Sequence, residues 1–204
     1  MDELDRWSFE REARAAGYAW VCGCDEAGAG PLAGPVYAAA VVLPFGAELP
    51  GLADSKKLTE KKREALFPLI QETALAWAVA RVEAEEIDAT DILSARMKAM
   101  QLAMDRLDPR PDFALIDGNR DRGRSFAITT PHLTVVKGDD RSASIAAASI
   151  LAKVSRDRYM LELDRQYPEY QFAKHKGYGT ALHYQLLREH GPCPAHRRSF
   201  LKAL

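Results

Sequence analysis

Short apolar bursts and stretches of helical spacing take turns along this chain. The run Tyr18, Ala19, Trp20, Val21 predicts a first strand that carries on to Cys22 and Cys24, then meets Asp25-Glu26 and the turn-forming Gly28-Ala29-Gly30-Pro31. Tyr37 to Leu43, partly β-branched and stopped by Pro44, predicts a second strand, and the short link favours antiparallel pairing. Thr59 N-caps a helix with apolar positions Ala65, Leu66, Leu69 and Ile70, in which Pro68 is expected to make a kink or a break. A third strand is predicted over Ala76 to Ala84. Glu85 to Leu107 follows as a short helical piece and a longer one, striped by Ile92, Leu93, Met97, Met100 and Met104.

Phe113 to Ile116 and His132 to Lys137 predict strands four and five, parted by a polar loop over Asn119 to Thr130. Ser142 to Tyr167 is a long helix whose Ala- and Ser-rich start allows close approach to the sheet. Its Arg156-Asp157-Arg158 is expected to be a solvated face with intrahelical pairs. Beyond Pro168 the pattern predicts a loop at Lys174 to Thr180 that includes His175, a short helix at Ala181 to His190, and a loosely packed tail from Cys193 to Leu204. Strands and helices in this order make an α/β domain, and 204 residues suffice for one.

Composition narrows the classes. Hydrophobic residues at 47% and charged residues at 28% describe a globular chain. No apolar run approaches the roughly 20 residues of a membrane span. Met1 to Ala15 is too charged for a secretory signal, so a cytoplasmic protein with no membrane partner is expected. Cys22, Cys24 and Cys193 form no disulfide framework, and the first two fall on one strand face as small buried thiols. The net charge of −1 hides a polarity, because residues 171–204 carry six cations (Lys174, Lys176, Arg188, Arg197, Arg198, Lys202) against Glu189 alone. Four of the five histidines (His175, His183, His190, His196) fall in the same flank. A basic flank on a phosphate backbone beside an acidic metal-binding centre fits this distribution.

The acidic centre follows from the strand ends. Adjacent like charges persist where a cation neutralises them, and both Asp25 and Glu26 face one ion only if the strand ends between them. Glycines at 28 and 30 let a phosphate backbone approach main-chain N–H groups. Asp117 and Asp139 also close apolar runs, and ligands in open α/β sheets gather outside strand ends. Convergent carboxylates suggest two-metal phosphoryl chemistry, with ions about 3.5 to 4 Å apart and no protein nucleophile.

The residues also carry a family resemblance. Asp25-Glu26-Ala27-Gly28-x-Gly30-Pro-Leu-Ala-Gly-Pro, Asp54-Ser-Lys-Lys-Leu-Thr, Ile116-Asp117-Gly118-Asn119, Lys137-Gly138-Asp139, the Ala146 to Arg158 block and His175-Lys176-Gly177-Tyr178-Gly179-Thr180 together resemble bacterial ribonuclease HII, in the family's order over roughly Cys22 to Phe200. The resemblance implies a ribonuclease H-like fold: a mixed five-stranded sheet flanked by helices, with a small C-terminal helical region, in one domain over 1–204. It implies Mg²⁺- or Mn²⁺-dependent hydrolysis of RNA in RNA–DNA hybrids. It also implies incision 5′ to ribonucleotides embedded in duplex DNA, leaving 3′-hydroxyl and 5′-phosphate ends. Asp25, Glu26, Asp117 and Asp139 are then the metal-binding carboxylates. Gly28, Ala29, Gly30, Lys56 and Tyr178 contact substrate, Tyr178 packing on the sugar beside the junction, and the protein acts as a monomer.

One position departs from the family. Where Gly-Arg-Gly is usual, this chain has Gly28-Ala29-Gly30, which removes a cation and invites compensation from Lys174, Lys176, Arg197 and Arg198 as phosphate contacts. Two other classes stay open at this point. One is a structure-specific DNA nuclease of the same fold; the other is a nucleic-acid-binding protein with weak catalysis.

Overall fold

A computed structural model describes residues 5–201. Its elements are α1 (Ser8–Ala15), β1 (Val21–Ala27), β2 (Val36–Val42), α2 (Glu60–Thr73), β3 (Ala76–Val82), α3 (Ala84–Ala89), α4 (Ile92–Asp105), β4 (Phe113–Asp117), β5 (His132–Val135), α5 (Gly138–Arg141), α6 (Ala143–Gln166), α7 (Phe172–His175) and α8 (Ala181–His190). The five strands form one sheet in the order β3-β2-β1-β4-β5. β1–β2 and β2–β3 are antiparallel, whereas β1–β4 and β4–β5 are parallel, so the sheet is mixed as expected. No helix among the described residues is long and apolar enough to cross a membrane.

Small side chains make the layers thin. All seven residues of β2 are buried, and its Ala38, Ala39 and Ala40 leave room for helices on both faces. On one face α4 contributes Met97, Met100 and Met104 to a core with Cys22, Cys24 and Ile116. On the other, the Ala- and Ser-rich start of α6 lies against β1 so closely that a Cβ on Gly23 would come within 2.1 Å of the Ser144 carbonyl carbon. A third cluster joins Met160 and Leu163 of α6 to Phe172, Leu186 and Leu187, and seats the C-terminal helices.

Several expectations are corrected. Residues 8–15 form α1, whose buried Glu10 accepts from the Ser142 hydroxyl (2.6 Å) and the Ser144 N–H (3.1 Å) at the start of α6. That partner is 132 residues away, so the N-terminal charge pattern gave no hint of it. Helix α2 runs unbroken across Pro68, which lies on its exposed side, in place of the expected kink or break. β1 does not stop between its two acids: its antiparallel ladder with β2 pairs Asp25 with Ala39 and Glu26 with Ala38, and extends to Ala27. Thr59 caps α2 through the Lys62 N–H (3.3 Å) as expected.

The tail is packed, not loose. Ala33 and His196 form an isolated bridge, the Gly34 N–H donates to the Ala195 carbonyl (2.9 Å), and Cys193, His196 and Arg197 are buried. His175 is not a loop residue but ends α7, buried, with its ring stacked on His183. Lys202 lies outside the described residues.

Candidate functional site

Strand alternation decides which acids meet. Gly23 abuts α6 while Cys24 faces α4, its thiol 3.9 Å from the Met100 carbonyl, so Asp25 points to the α6 face and Glu26 to the α4 face. On β4, Leu115 packs with Ile145 of α6, which puts Asp117 two residues on at the same face as Asp25. Asp139 arrives from α5 and not from a strand end: Lys137, in the left-handed region at φ 54°, turns the chain after β5. Asp117 fixes that turn by accepting from the Gly138 N–H (2.7 Å). Carboxylate oxygens of Asp25, Asp117 and Asp139 thereby lie within 4.8 Å of one another.

Glu26 stands slightly apart. It pairs with Arg96 of α4, and its Oε2 is buried without a hydrogen-bond partner. Burial raises its affinity for a proton, and Arg96 opposes that rise. Burial likewise pushes Asp25 well above the usual carboxylate range, with Glu26 and Asp117 adding repulsion; burial and Asp117 raise Asp139. Lys56 reaches Asp139 (Nζ to Oδ2, 3.3 Å) from the short turn that Asp54 caps, but its side chain is 75% exposed and neutralises little. Crowded, partly desolvated carboxylates plus one orphaned buried oxygen form a donor set that suits a hard divalent cation.

A cleft joins these acids to the residues expected to bind substrate. It is lined by Asp25, Glu26, Gly28, Ala29, Gly30, Lys56, Asp117, Lys153 and Tyr178. Every predicted site residue except Asp139 borders it, and Asp139 touches it through Lys56. Tyr178 is 42% exposed, with Arg156 and Lys153 5.7 Å and 5.9 Å from its ring centre. The acids can anchor cations, the glycine loop can offer main-chain groups, and the open ring can stack on a sugar or base.

Three arginines were not foreseen in these roles. Arg96 follows Ile92 and precedes Met100 at helical spacing, a cation on the α4 apolar row, and that spacing was its signal. Arg156, expected to be solvated, is fully buried and donates to the carbonyls of Pro35 (3.2 Å), Lys176 (3.0 Å) and Ala33 (3.2 Å). Arg197, expected to be a phosphate contact, is also fully buried and donates to the carbonyls of Gly34 (2.9 Å), Ala29 (2.9 Å) and Gly28 (2.7 Å). Neither has a carboxylate in its first contacts, so no local charge pattern announces its burial. Within the same triplet Arg158 keeps an exposed pair with Glu64. Lys174 and Arg198 remain exposed.

Known proteins are similar to this chain in sequence and in fold. The ribonuclease HII family model matches residues 22–203. A ribonuclease HII of Endomicrobium trichonymphae is 55% identical over 95% of this chain and 91% of its own. The ribonuclease H2 of Pyrococcus horikoshii superposes with a TM-score of 0.72 at 26% identity, over 89% of this chain and 93% of its own. Bst-RNase HIII in complex with Mn²⁺ shares the fold at 20% identity, with a TM-score of 0.63, over 92% of this chain and 66% of its own. With its mixed sheet, its converging acids and a match from Cys22 onward, the chain belongs to the ribonuclease HII family of endoribonucleases.

Proposed function

We propose that Asp25, Glu26, Asp117 and Asp139 hold Mg²⁺ or Mn²⁺, and that Gly28, Ala29, Gly30, Lys56 and Tyr178 bind the nucleic acid across the cleft. The activity is that of the family: metal-dependent endonucleolytic hydrolysis of the RNA strand of RNA–DNA hybrids, and incision 5′ to ribonucleotides embedded in duplex DNA. The observation that carries the residue roles is the meeting of three carboxylates, within 4.8 Å, beside a glycine loop and an open tyrosine. A bound divalent cation supplies Lewis-acid activation of water and neutralises charge on the phosphate.

The chain's own groups do the rest. Asp117 orients Asp139 through the Gly138 N–H, so the two acids form one unit. Lys56, free to swing, is placed to meet a phosphate oxygen near Asp139. Main-chain groups at Gly28 to Gly30 can approach a ribose closely enough to sense its 2′-hydroxyl, which both donates and accepts. Tyr178 packs on the neighbouring sugar, where an added hydroxyl would crowd the ring. We place the whole of 1–204 in one catalytic domain with a basic flank at 171–204, acting as a monomer in the cytoplasm.

Three duplexes test this reading: one with a single ribonucleotide, its all-DNA twin and a long RNA–DNA hybrid, each with Mg²⁺ and with Mn²⁺. The first and third are cut and the twin is not. Cutting of the twin overturns the recognition roles. Binding without cutting in either metal overturns the metal roles.

A further inference from the structure

The segment from Gly28 to Pro35 has a hidden underside. Its carbonyls at Gly28, Ala29, Ala33, Gly34 and Pro35 all accept from two buried guanidinium groups, those of Arg197 and Arg156. In a trans peptide the C=O of one residue and the N–H of the next point in opposite directions. With the carbonyls of Gly28 and Ala29 drawn inward to Arg197, the N–H groups of Ala29 and Gly30 are turned outward, on the side of the cleft that these residues line. Among the described residues neither N–H donates to a main-chain carbonyl, so both donors are available there.

The guanidinium groups are fitted with little slack. A Cβ on Gly28, held at φ +92°, would come within 2.0 Å of Arg156 Nε. Arg197 lies 5.2 Å from the centre of the Phe200 ring, and its own N–H donates to the Leu32 carbonyl (2.8 Å). Arg156 extends the same bracing to the other wall of the cleft, through the Lys176 carbonyl and beneath the ring of Tyr178.

We infer that Arg197 is a positioning residue for ribonucleotide recognition: from the C-terminal segment it pins the Gly28 and Ala29 carbonyls and so aims two main-chain donors into the cleft. This rests on the proposed reading of the Gly28–Gly30 loop as the sugar sensor. A lysine in its place keeps the charge but cannot donate along the three fixed directions that the guanidinium fork serves.

The test uses Arg197→Lys in the full chain. Binding of the single-ribonucleotide duplex and of its all-DNA twin is measured by fluorescence anisotropy in chelator, where neither is cut, and amide hydrogen exchange is followed at Leu32 and Gly34, the loop amides bonded to the Gly177 and Ala195 carbonyls. Affinity for the ribonucleotide duplex falls by about tenfold, the scale of one or two lost hydrogen bonds between neutral groups, while the twin binds as before. Exchange accelerates at the loop but not in β1 or β2, and Mn²⁺ titration is unchanged. If Arg197→Lys fails to fold, Phe200→Leu, which loosens the guanidinium and keeps it present, moves the same two readouts by a smaller factor. A wild type that binds both duplexes equally overturns the loop as sensor and Arg197's part in it. A wild type that discriminates beside variants that discriminate equally, with unchanged exchange, overturns the Arg197 inference alone.

Discussion

Two charge clusters on either side of one loop are treated in opposite ways. Around Asp25 the carboxylates crowd one another, a glutamate oxygen goes without a partner, and the cation at hand, Lys56, is mostly in water. Beneath the same loop, two arginines with no contacting acid are surrounded by carbonyls, and six of those bonds measure between 2.7 and 3.2 Å. The first cluster is left electrostatically unfinished and so invites an ion; the second is finished and so fixes the backbone. The difference teaches that buried charge is not by itself a sign of chemistry, since what separates the two cases is whether the partners are supplied within the chain.

Removing a charge from each cluster should therefore have opposite effects on stability. Asp25→Asn or Asp117→Asn lowers cleavage by about 10³-fold or more, the scale of a lost electrostatic stabiliser, yet raises the melting temperature of the metal-free protein because repulsion is relieved. A lower melting temperature would contradict the unfinished state of that cluster. Arg156→Met leaves three carbonyls unserved and should cost about 3 kcal/mol or more in urea unfolding, at about 1–3 kcal/mol per buried group left unsatisfied. A loss under 1 kcal/mol would show that water takes over readily. Arg96→Gln deprives Glu26 of its cation, which should cost about 2 kcal/mol in chelator and make Mn²⁺ binding several-fold tighter by calorimetry.

A pH titration sharpens the contrast further. His183 and His196 face each other at 3.0 Å between ring nitrogens, and burial lowers each to about 4. Both then bind fewer protons folded than unfolded between about pH 4 and the ordinary 6.5, so stability rises with pH through that window and is lost as pH falls. The urea midpoint should drop between pH 6.5 and 4, and His196→Gln should flatten the slope. The smallest expected effect is at the variant glycine loop, where Ala29→Arg should tighten binding of the ribonucleotide duplex about fivefold by restoring a phosphate contact.

The sequence revealed the two clusters unequally. Asp25, Asp117 and Asp139 follow apolar runs and stand beside glycines, and that local contrast is visible in a window of a few residues. The sheet was readable for the same reason, since the continuous apolar run of β2 and the alternation of β3 need no distant partner. The two buried arginines were misread because five of their six partners lie 121 to 169 residues away, the Lys176 carbonyl being the exception, and all six are main-chain carbonyls, which leave no trace in side-chain pattern. Arg156-Asp157-Arg158 has the look of any solvated helix face until Pro35 and Ala33 are brought to it. Glu26 borders the cleft with Asp25 and Asp117, but the expected strand end between Asp25 and Glu26 is absent, and a strand that continues through both sends Glu26 toward Arg96.

The bond from Arg197 to Gly34 spans 163 residues, and its direction along the chain imposes an order in time. A polypeptide made from its N-terminus has all four acids on hand while the brace for the glycine loop is still to be synthesised. The loop from Gly28 to Gly34 is thus made long before the arginine that fixes its carbonyls, so its final conformation waits for the end of the chain.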